Sequence, residues 1–93
     1  MRMDMIAMWL EMDEKNFRRA LQEAGGKLAS VQDEIILDFS SVLRLDPCSL
    51  RAVEEFTVLA ADKGIKVILR GVNVGVYKVL KLVQLASRFS FVD

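Results

Sequence analysis

The stretch LDFSSVLRLDPCSL, residues 37 to 50, decides the fold, because in it an apolar strand gives way to the start of a helix. The preceding EII completes a run, 34 to 39, that is apolar apart from single acids, as expected for a central strand of a parallel sheet. Asp46 is a preferred N-cap residue, and Pro47 suits the first helical position because its φ is already set. The stretch therefore predicts a strand, a short loop and a helix that begins at Pro47.

Strand and helix patterns alternate on both sides of this stretch. The first helix either stops at the pair Gly25-Gly26 or runs through it to about Ser30, since Leu28 and Val31 continue its apolar stripe. The second helix should end at Gly64. The predicted elements are strands at 5–10, 34–39, 65–69 and 89–92 and helices at 17–24, 47–63 and 74–86. The second helix should turn its apolar positions inward: Leu50, Val53, Phe56, Leu59 and Ala60.

This alternation predicts an α/β fold with a central four-stranded sheet, mixed but mostly parallel, and about three crossover helices. The chain has no internal repeat and only one proline, so no linker divides it. We expect residues 1–93 to form a single domain, as a chain of this length has room for one core.

Charge and composition exclude several classes of function. Basic and acidic residues number thirteen each, so no net charge favours nucleic acid. One cysteine excludes an internal disulfide and a cysteine-cluster metal site, and is ordinary for a reducing compartment. The longest early apolar run, Met5 to Leu10, is too short for a signal peptide or a membrane span. We therefore expect a cytoplasmic protein without membrane insertion.

The chain also lacks the groups that most enzymes need. It has no histidine, which removes the commonest general base and the Ser-His and Cys-His nucleophile pairs. GVNVG, residues 71 to 75, lacks the spacing of a nucleotide-binding loop, and adjacent carboxylates do not converge on one face. We predict a protein that is not an enzyme and has no cofactor and no metal site.

Cys48 is the one candidate nucleophile. A thiol in the first turn of a helix has a lowered pKa. Cysteine is also among the most buried residue types and often acts as a small apolar filler. With no histidine to assist it, packing is the preferred interpretation of Cys48, and a reactive thiolate is the alternative.

The helix start at Asp46 also has two interpretations. Open α/β sheets place functional loops at the carboxyl ends of their strands, and a helix N-terminus there can bind an anion. The simpler alternative is a good N-cap with no further role. Local composition favours the cap.

The chain from Ile35 onward resembles the STAS domain, the module shared by anti-sigma factor antagonists and sulfate transporters. The family pattern is a strand with Leu-Asp-Leu-Ser, then Asp-Ser-Ser-Gly-Leu opening a helix, a glycine before the next strand, and a final helix rich in Val and Leu. The order and spacing of the segments carry the resemblance over about two thirds of the chain. The matching segments are IILDFSSV (35–42), LDPCSL (45–50), ADKG (61–64), IKVILRGVN (65–73) and VYKVLKLVQL (76–85).

The resemblance implies a non-catalytic interaction module that binds a protein partner through Asp46, Pro47, Cys48, Ser49 and Leu50. In anti-sigma factor antagonists the residue after the aspartate is the serine that a partner kinase phosphorylates. Pro47 occupies that place and has no hydroxyl. Either binding is constitutive, or control lies elsewhere, or the switch has decayed. Ser49 is the nearest alternative phosphosite, at the position of the family's glycine.

The resemblance also bears on the sheet edge and the class of partner. STAS domains often begin with a strand before the one assigned to residues 5–10, so an edge is expected to be open to a second chain or a homodimer. The last helix is apolar around most of its circumference, which predicts either burial or an interaction surface at Tyr77, Lys78 and Lys81. The expected partner is an anti-sigma factor or related kinase-like ATPase. The alternative is an ABC transporter ATPase, because residues 71–85 are also similar to the STAS subunit of the phospholipid-transport ABC importer.

Overall fold

The computed structural model describes residues 8–13, 15–28 and 34–92. The predicted order of elements is confirmed, although residues 5–7 of the first predicted strand lie outside the described residues. The elements are strands β1 (Met8–Asp13), β2 (Glu34–Ser41), β3 (Lys66–Arg70) and β4 (Ser90–Val92), helices α1 (Phe17–Lys27), α2 (Pro47–Asp62) and α3 (Val74–Leu82), and a 3-10 turn at Ala86–Arg88.

The four strands form one sheet in the order β1-β2-β3-β4, and each neighbouring pair is parallel. A mixed sheet was expected; the pairings of the described strands are parallel throughout. In the centre, Leu37 of β2 pairs with Leu10 on one side and Leu69 on the other. β1 continues three residues beyond its predicted end, with a register shift between Glu11 and Asp13, because Met12 is buried in the core.

All three helices cross between neighbouring parallel strands in the same direction, so right-handed crossovers put them on one face of the sheet. The burial of alternate residues agrees: Ile35, Leu37 and Phe39 of β2 are buried, and the residues between them are half-buried. On the opposite face Asp38 and Arg70, which pair in register, form an ion pair of 3.6 Å. The core therefore lies between the helices and one face of the sheet.

α1 runs through Gly25-Gly26, the pair at which it was expected either to stop or to continue. It extends to Lys27, with Leu28 as its C-cap residue, and the predicted limit at Ser30 lies outside the described residues. Leu28 is 1% exposed. The apolar stripe decides the outcome, because burying Leu28 offsets the low helix propensity of two glycines.

α3 ends at Leu82, so the predicted end at Ala86 is wrong. Gln84 adopts a left-handed backbone conformation with φ of 63°, and the Leu85 N–H donates to the Leu80 carbonyl at 2.8 Å. This is a Schellman motif, in which a left-handed residue ends the helix. α2 ends in the same way: Gly64 has φ of 69°, and the Ile65 N–H donates to the Ala60 carbonyl at 2.9 Å. The sequence signals the end of α2 with a glycine, Gly64. It gives no such signal at the end of α3, where Gln84 takes the left-handed conformation.

We predict that Gln84→Gly stabilises the protein by roughly 0.5–1 kcal/mol, because glycine adopts the left-handed conformation without the penalty that a side chain incurs. The mirror change Gly64→Gln should destabilise it by about as much, since the same strain is introduced at the end of α2. Urea denaturation of the two variants and the wild type measures both effects. Equal stability of Gln84→Gly and the wild type would contradict the assigned strain.

Candidate functional site

The start of α2 is an N-cap built by Asp46. Its backbone is extended, its Oδ1 accepts from the Ser49 N–H at 2.7 Å, and its carbonyl accepts from the Leu50 N–H at 2.9 Å. Pro47 takes the first helical position, where no hydrogen-bonded N–H is needed. The helix start predicted from Asp46 and Pro47 is confirmed.

The Asp46 carboxylate is held in its ionised form. The Ser49 N–H lowers the pKa of Asp46 most, and the Ser49 hydroxyl lowers it further. The positive charge of Arg18, at the start of α1, acts in the same direction. A hydrogen-bonded carboxylate at a helix N-terminus is also favoured by the helix dipole. The helix start therefore carries a fixed negative charge at neutral pH.

The five residues predicted to contact a partner are contiguous but differ in exposure. Asp46, Pro47 and Cys48 are exposed, Ser49 is half-buried, and Leu50 is half-buried and packs against the core. Cys48 was expected to be a buried filler; that expectation is wrong, because the first turn of α2 turns this position to the surface. The exposed part of the predicted site is thus Asp46 to Cys48.

Cys48 lies in a groove between α1 and α2 that we call the α1–α2 groove. Its volume is about 660 Å³. Leu59 was predicted to face inward; it is instead 47% exposed and lines the groove opposite Gly25. The glycine carries no side chain that could cover it. The groove is lined by Arg18, Leu21, Gln22, Gly25, Gly26, Pro47, Cys48, Arg51, Ala52, Glu55, Phe56 and Leu59.

Asn73 holds the loop before α2 in place and also caps α3. Its side-chain oxygen accepts from the Val76 N–H at 2.7 Å and caps α3. Its Nδ2 donates to the carbonyls of Leu43 at 3.1 Å and of Val42 at 3.3 Å. One side chain therefore ties the start of α3 to the loop that leads into Asp46. The partners are about 30 residues apart in sequence, so no local pattern signals this bridge.

The Asp-x-Ser part of the strand motif forms a second polar cluster at the carboxyl end of β2. The Ser40 hydroxyl donates to Asp38 Oδ1 at 2.6 Å and the Ser40 N–H at 2.9 Å. The hydroxyl lowers the pKa of Asp38 most, the N–H next, and Arg70 adds a smaller effect. Gly71 has φ of 72°, and a Cβ there would overlap the Ser40 hydroxyl, so glycine is required.

The second predicted surface, on α3, lies away from the α1–α2 groove. Tyr77 stacks edge-on against Phe91 of β4 with ring centroids 5.1 Å apart. Lys78 and Lys81 are exposed. α3 buries Val76 and Leu80, whereas Val74 and Leu82 are 69% and 81% exposed. Much of the apolar surface of α3 is therefore not covered by the described residues.

Within residues 8–13, 15–28 and 34–92 no helix has the length and apolarity needed to cross a bilayer. Nor do three or more side chains of His, Cys, Asp or Glu converge there in a way that could hold a metal ion.

A parallel sheet with crossover helices on one face, and a loop-to-helix turn at the carboxyl end of β2, is the arrangement of one small class of α/β modules. The chain belongs to the STAS domain family, which it matches over residues 4–93. No protein among the curated ones matches it at the level of sequence.

Several solved structures share the fold, among them the following three. The STAS domain of a SulP transporter from Vibrio cholerae has a TM-score of 0.77 and 20% identity, covering 98% of this chain and 77% of its own. A sulfate transporter family protein from Wolinella succinogenes has a TM-score of 0.76 and 18% identity, covering 91% and 75%. A putative anti-sigma factor antagonist from Thermotoga maritima has a TM-score of 0.72 and 22% identity, covering 90% and 73%. These likenesses establish the fold.

We predict that the Asp46 cap makes stability depend on acid pH. Because hydrogen bonds hold the pKa of Asp46 below its ordinary value, its contribution is present above that value and is lost as the pH falls through the folded pKa. Asp46→Asn keeps an acceptor for the Ser49 N–H but does not titrate, so its melting temperature should fall less steeply between pH 5 and the acid limit. Asp46→Ala should lower the melting temperature by a few degrees at neutral pH.

The matched control is Asp62→Asn, at the other end of α2, where no free N–H groups point outward. The melting temperature of this variant should fall in acid as steeply as that of the wild type. Thermal melts at a series of pH values measure all four proteins. If Asp46→Asn were as steep as the wild type, the cap would not be the source of the acid dependence.

We predict that Asn73→Asp destabilises the protein by roughly 1–2 kcal/mol, because it keeps the cap of α3 but faces the Val42 and Leu43 carbonyls with acceptors in place of donors. Asn16→Ala is the control, since Asn16 is the N-cap residue of α1 and makes no side-chain cap hydrogen bond. Urea denaturation measures stability, and amide exchange at Leu43 and Arg44 measures the loop. If amide exchange at Leu43 and Arg44 became faster while the free energy of unfolding stayed the same, Asn73 would hold the loop without stabilising the protein, and the prediction would be wrong.

Proposed function

We propose that this chain is a non-catalytic interaction module of the anti-sigma factor antagonist type, which binds a cytoplasmic protein partner through the start of α2. The observation that carries the proposal is that Asp46, Pro47 and Cys48 are exposed on a helix start that is already held in place. Two hydrogen bonds to Asp46 fix the helix start, and Asn73 fixes the preceding loop. A surface ordered before binding loses little entropy when a partner docks.

Membership of the STAS family and the absence of histidine both support a role in binding. Pro47 cannot be phosphorylated, so we propose that binding is constitutive at this position. A phosphate on Ser49 would set about two negative charges against the Asp46 carboxylate, with which the Ser49 hydroxyl now makes a hydrogen bond. Modification of Ser49 would therefore act by loosening the helix start.

The α3 surface is proposed as a second contact. Lys78 and Lys81 lie on the same exposed helix as Tyr77, and such a surface suits a partner with acidic groups. The exposed apolar side chains of Val74 and Leu82 favour a second candidate function. In it the chain is an accessory subunit that docks α3 onto the ATPase of an ABC lipid transporter.

The test is an affinity pull-down from the native cell extract under reducing conditions, with the bound proteins identified by mass spectrometry. We expect the wild type to recover an anti-sigma factor or a kinase-like ATPase, and Cys48→Lys to lose it because the change places a long charged side chain in the contact. Ala61→Lys is the matched control: it adds the same side chain to an exposed position near the other end of α2 and should retain the partner.

A fourth bait carries Lys78→Glu and Lys81→Glu together. Recovery of an ABC ATPase with its permease, lost with this bait and retained with Cys48→Lys, would replace the proposal with the accessory-subunit function. Recovery of an anti-sigma factor equally by the wild type and Cys48→Lys would remove the α2 start from the interface. A partner that is an enzyme substrate, turned over by the chain, would refute a non-catalytic role.

A further inference from the structure

The α1–α2 groove has the length and direction of a helix-binding site. α1 and α2 each lead from the carboxyl end of one strand to the start of the next parallel strand, so the two helices run in the same direction. Along α2 the groove extends from Pro47 to Leu59, which is about 18 Å by the helical rise per residue. Three turns of a partner helix fit this length.

The floor of the groove is apolar, and toward the end of α1 one side of the groove has no side chains. Leu21, Phe56 and Leu59 provide apolar contacts, and Gly25 and Gly26 leave the α1 side without side chains. A Cβ added at Gly26 would have no atom within 4 Å, so the space above it is empty. Glycines at such positions allow the backbone of another helix to approach closely.

The charges along the groove change from positive at one end to negative further along. Arg18 and Arg51 lie near the end where both helices begin and make that end of the groove lining positive, whereas Asp46, whose carboxylate caps α2, is not part of the lining. Glu55 is one helical turn further along α2. All three side chains are exposed. From its starting end, the groove is thus first positive and then negative.

We propose that the α1–α2 groove binds an amphipathic helix of the partner protein, antiparallel to α1 and α2, with an acidic residue in its last turn beside Arg18 and Arg51 and a basic residue one turn earlier opposite Glu55. The antiparallel direction places the negative end of the partner's dipole beside the positive side chains of Arg18 and Arg51. The inference rests on the proposed function, because Pro47 and Cys48 of the proposed contact surface line the same groove.

A second copy of the chain does not offer such a helix within the described residues. α1 and α3 have the basic residues Lys27 and Lys81 in their last turns. α2 ends with Asp62, but the residue one turn earlier is Val58 rather than a basic residue. The order of charges therefore favours a different protein over self-association.

The test uses a phage-displayed library of 16-residue peptides, each with leucine fixed along one helical face and Lys, Glu, Gln or Ala at the flanking positions, selected against the full chain. We expect selection of Glu in the last turn and Lys one turn before it. A synthetic peptide with the selected sequence is then titrated calorimetrically against the wild type and three variants.

Gly26→Leu should weaken binding of the peptide by at least about tenfold, because the leucine fills the groove. Circular dichroism and the urea midpoint should show that this variant retains the fold. Lys27→Leu, which adds the same side chain one residue further on and outside the groove lining, should bind as the wild type does. Arg51→Glu should weaken binding by about tenfold, and replacing the last-turn Glu of the peptide with Lys should restore it.

Three results would overturn the proposal: no peptide enriched, enriched peptides with no order of charges, or equal affinity for Gly26→Leu and the wild type. Sedimentation of the protein alone tests whether a second copy of the chain occupies the groove. A dimer that Gly26→Leu dissociates would assign the groove to a second copy. The library is independent of the native partner. If no peptide binds the groove but Cys48→Lys still loses the native partner, only the groove proposal is refuted. If a peptide binds the groove but Cys48→Lys retains the native partner, only the proposed contact surface is refuted.

Discussion

The parallel pairing of β2 with β3 is the constraint on which the rest of the structure depends. It brings the carboxyl ends of both strands to one edge of the sheet, so that the loops following them meet there. At this edge the side chain of Asn73 reaches the carbonyls of Val42 and Leu43. The same pairing aligns Asp38 with Arg70 and sets Gly71 against Ser40. The loop before α2 is thus placed by contacts from the neighbouring crossover.

Order in this region comes from hydrogen bonds as well as from the burial of Val42 and the packing of Leu45 against the core. Asp46 and Asn73 are both exposed, yet each makes specific bonds to backbone groups. The buried apolar residues lie behind them, on the helix-facing side of the sheet. A contact surface of this kind can stay polar and accessible without being mobile, because its backbone groups are satisfied locally. This arrangement suits recognition by a preformed surface.

Local chemistry predicted the elements well where one residue decides the outcome. Pro47 after Asp46 marks a helix start, and Gly64 marks a helix end, because each residue type has a strong backbone preference. The end of α3 was missed because Gln84 takes the left-handed conformation that glycine usually supplies. The exposure of Cys48 and Leu59 was missed because it depends on how α1 lies beside α2. The family resemblance supplied the proposed location of the partner-binding site, whereas residue types alone left the helix start open between a cap and an anion site.

The cap at Asp46 has a consequence for ligands at the start of α2. Pro47 has no N–H, the Ser49 N–H donates to the Asp46 carboxylate, and the Leu50 N–H donates to the Asp46 carbonyl. The Cys48 N–H also interacts with the Asp46 carboxylate. Two donors of the first turn, the Ser49 and Leu50 N–H groups, are therefore already hydrogen-bonded within the chain. An incoming phosphate or carboxylate could reach the Ser49 N–H only by displacing the Asp46 carboxylate, so the cap of this helix competes with any anionic ligand for the same donor.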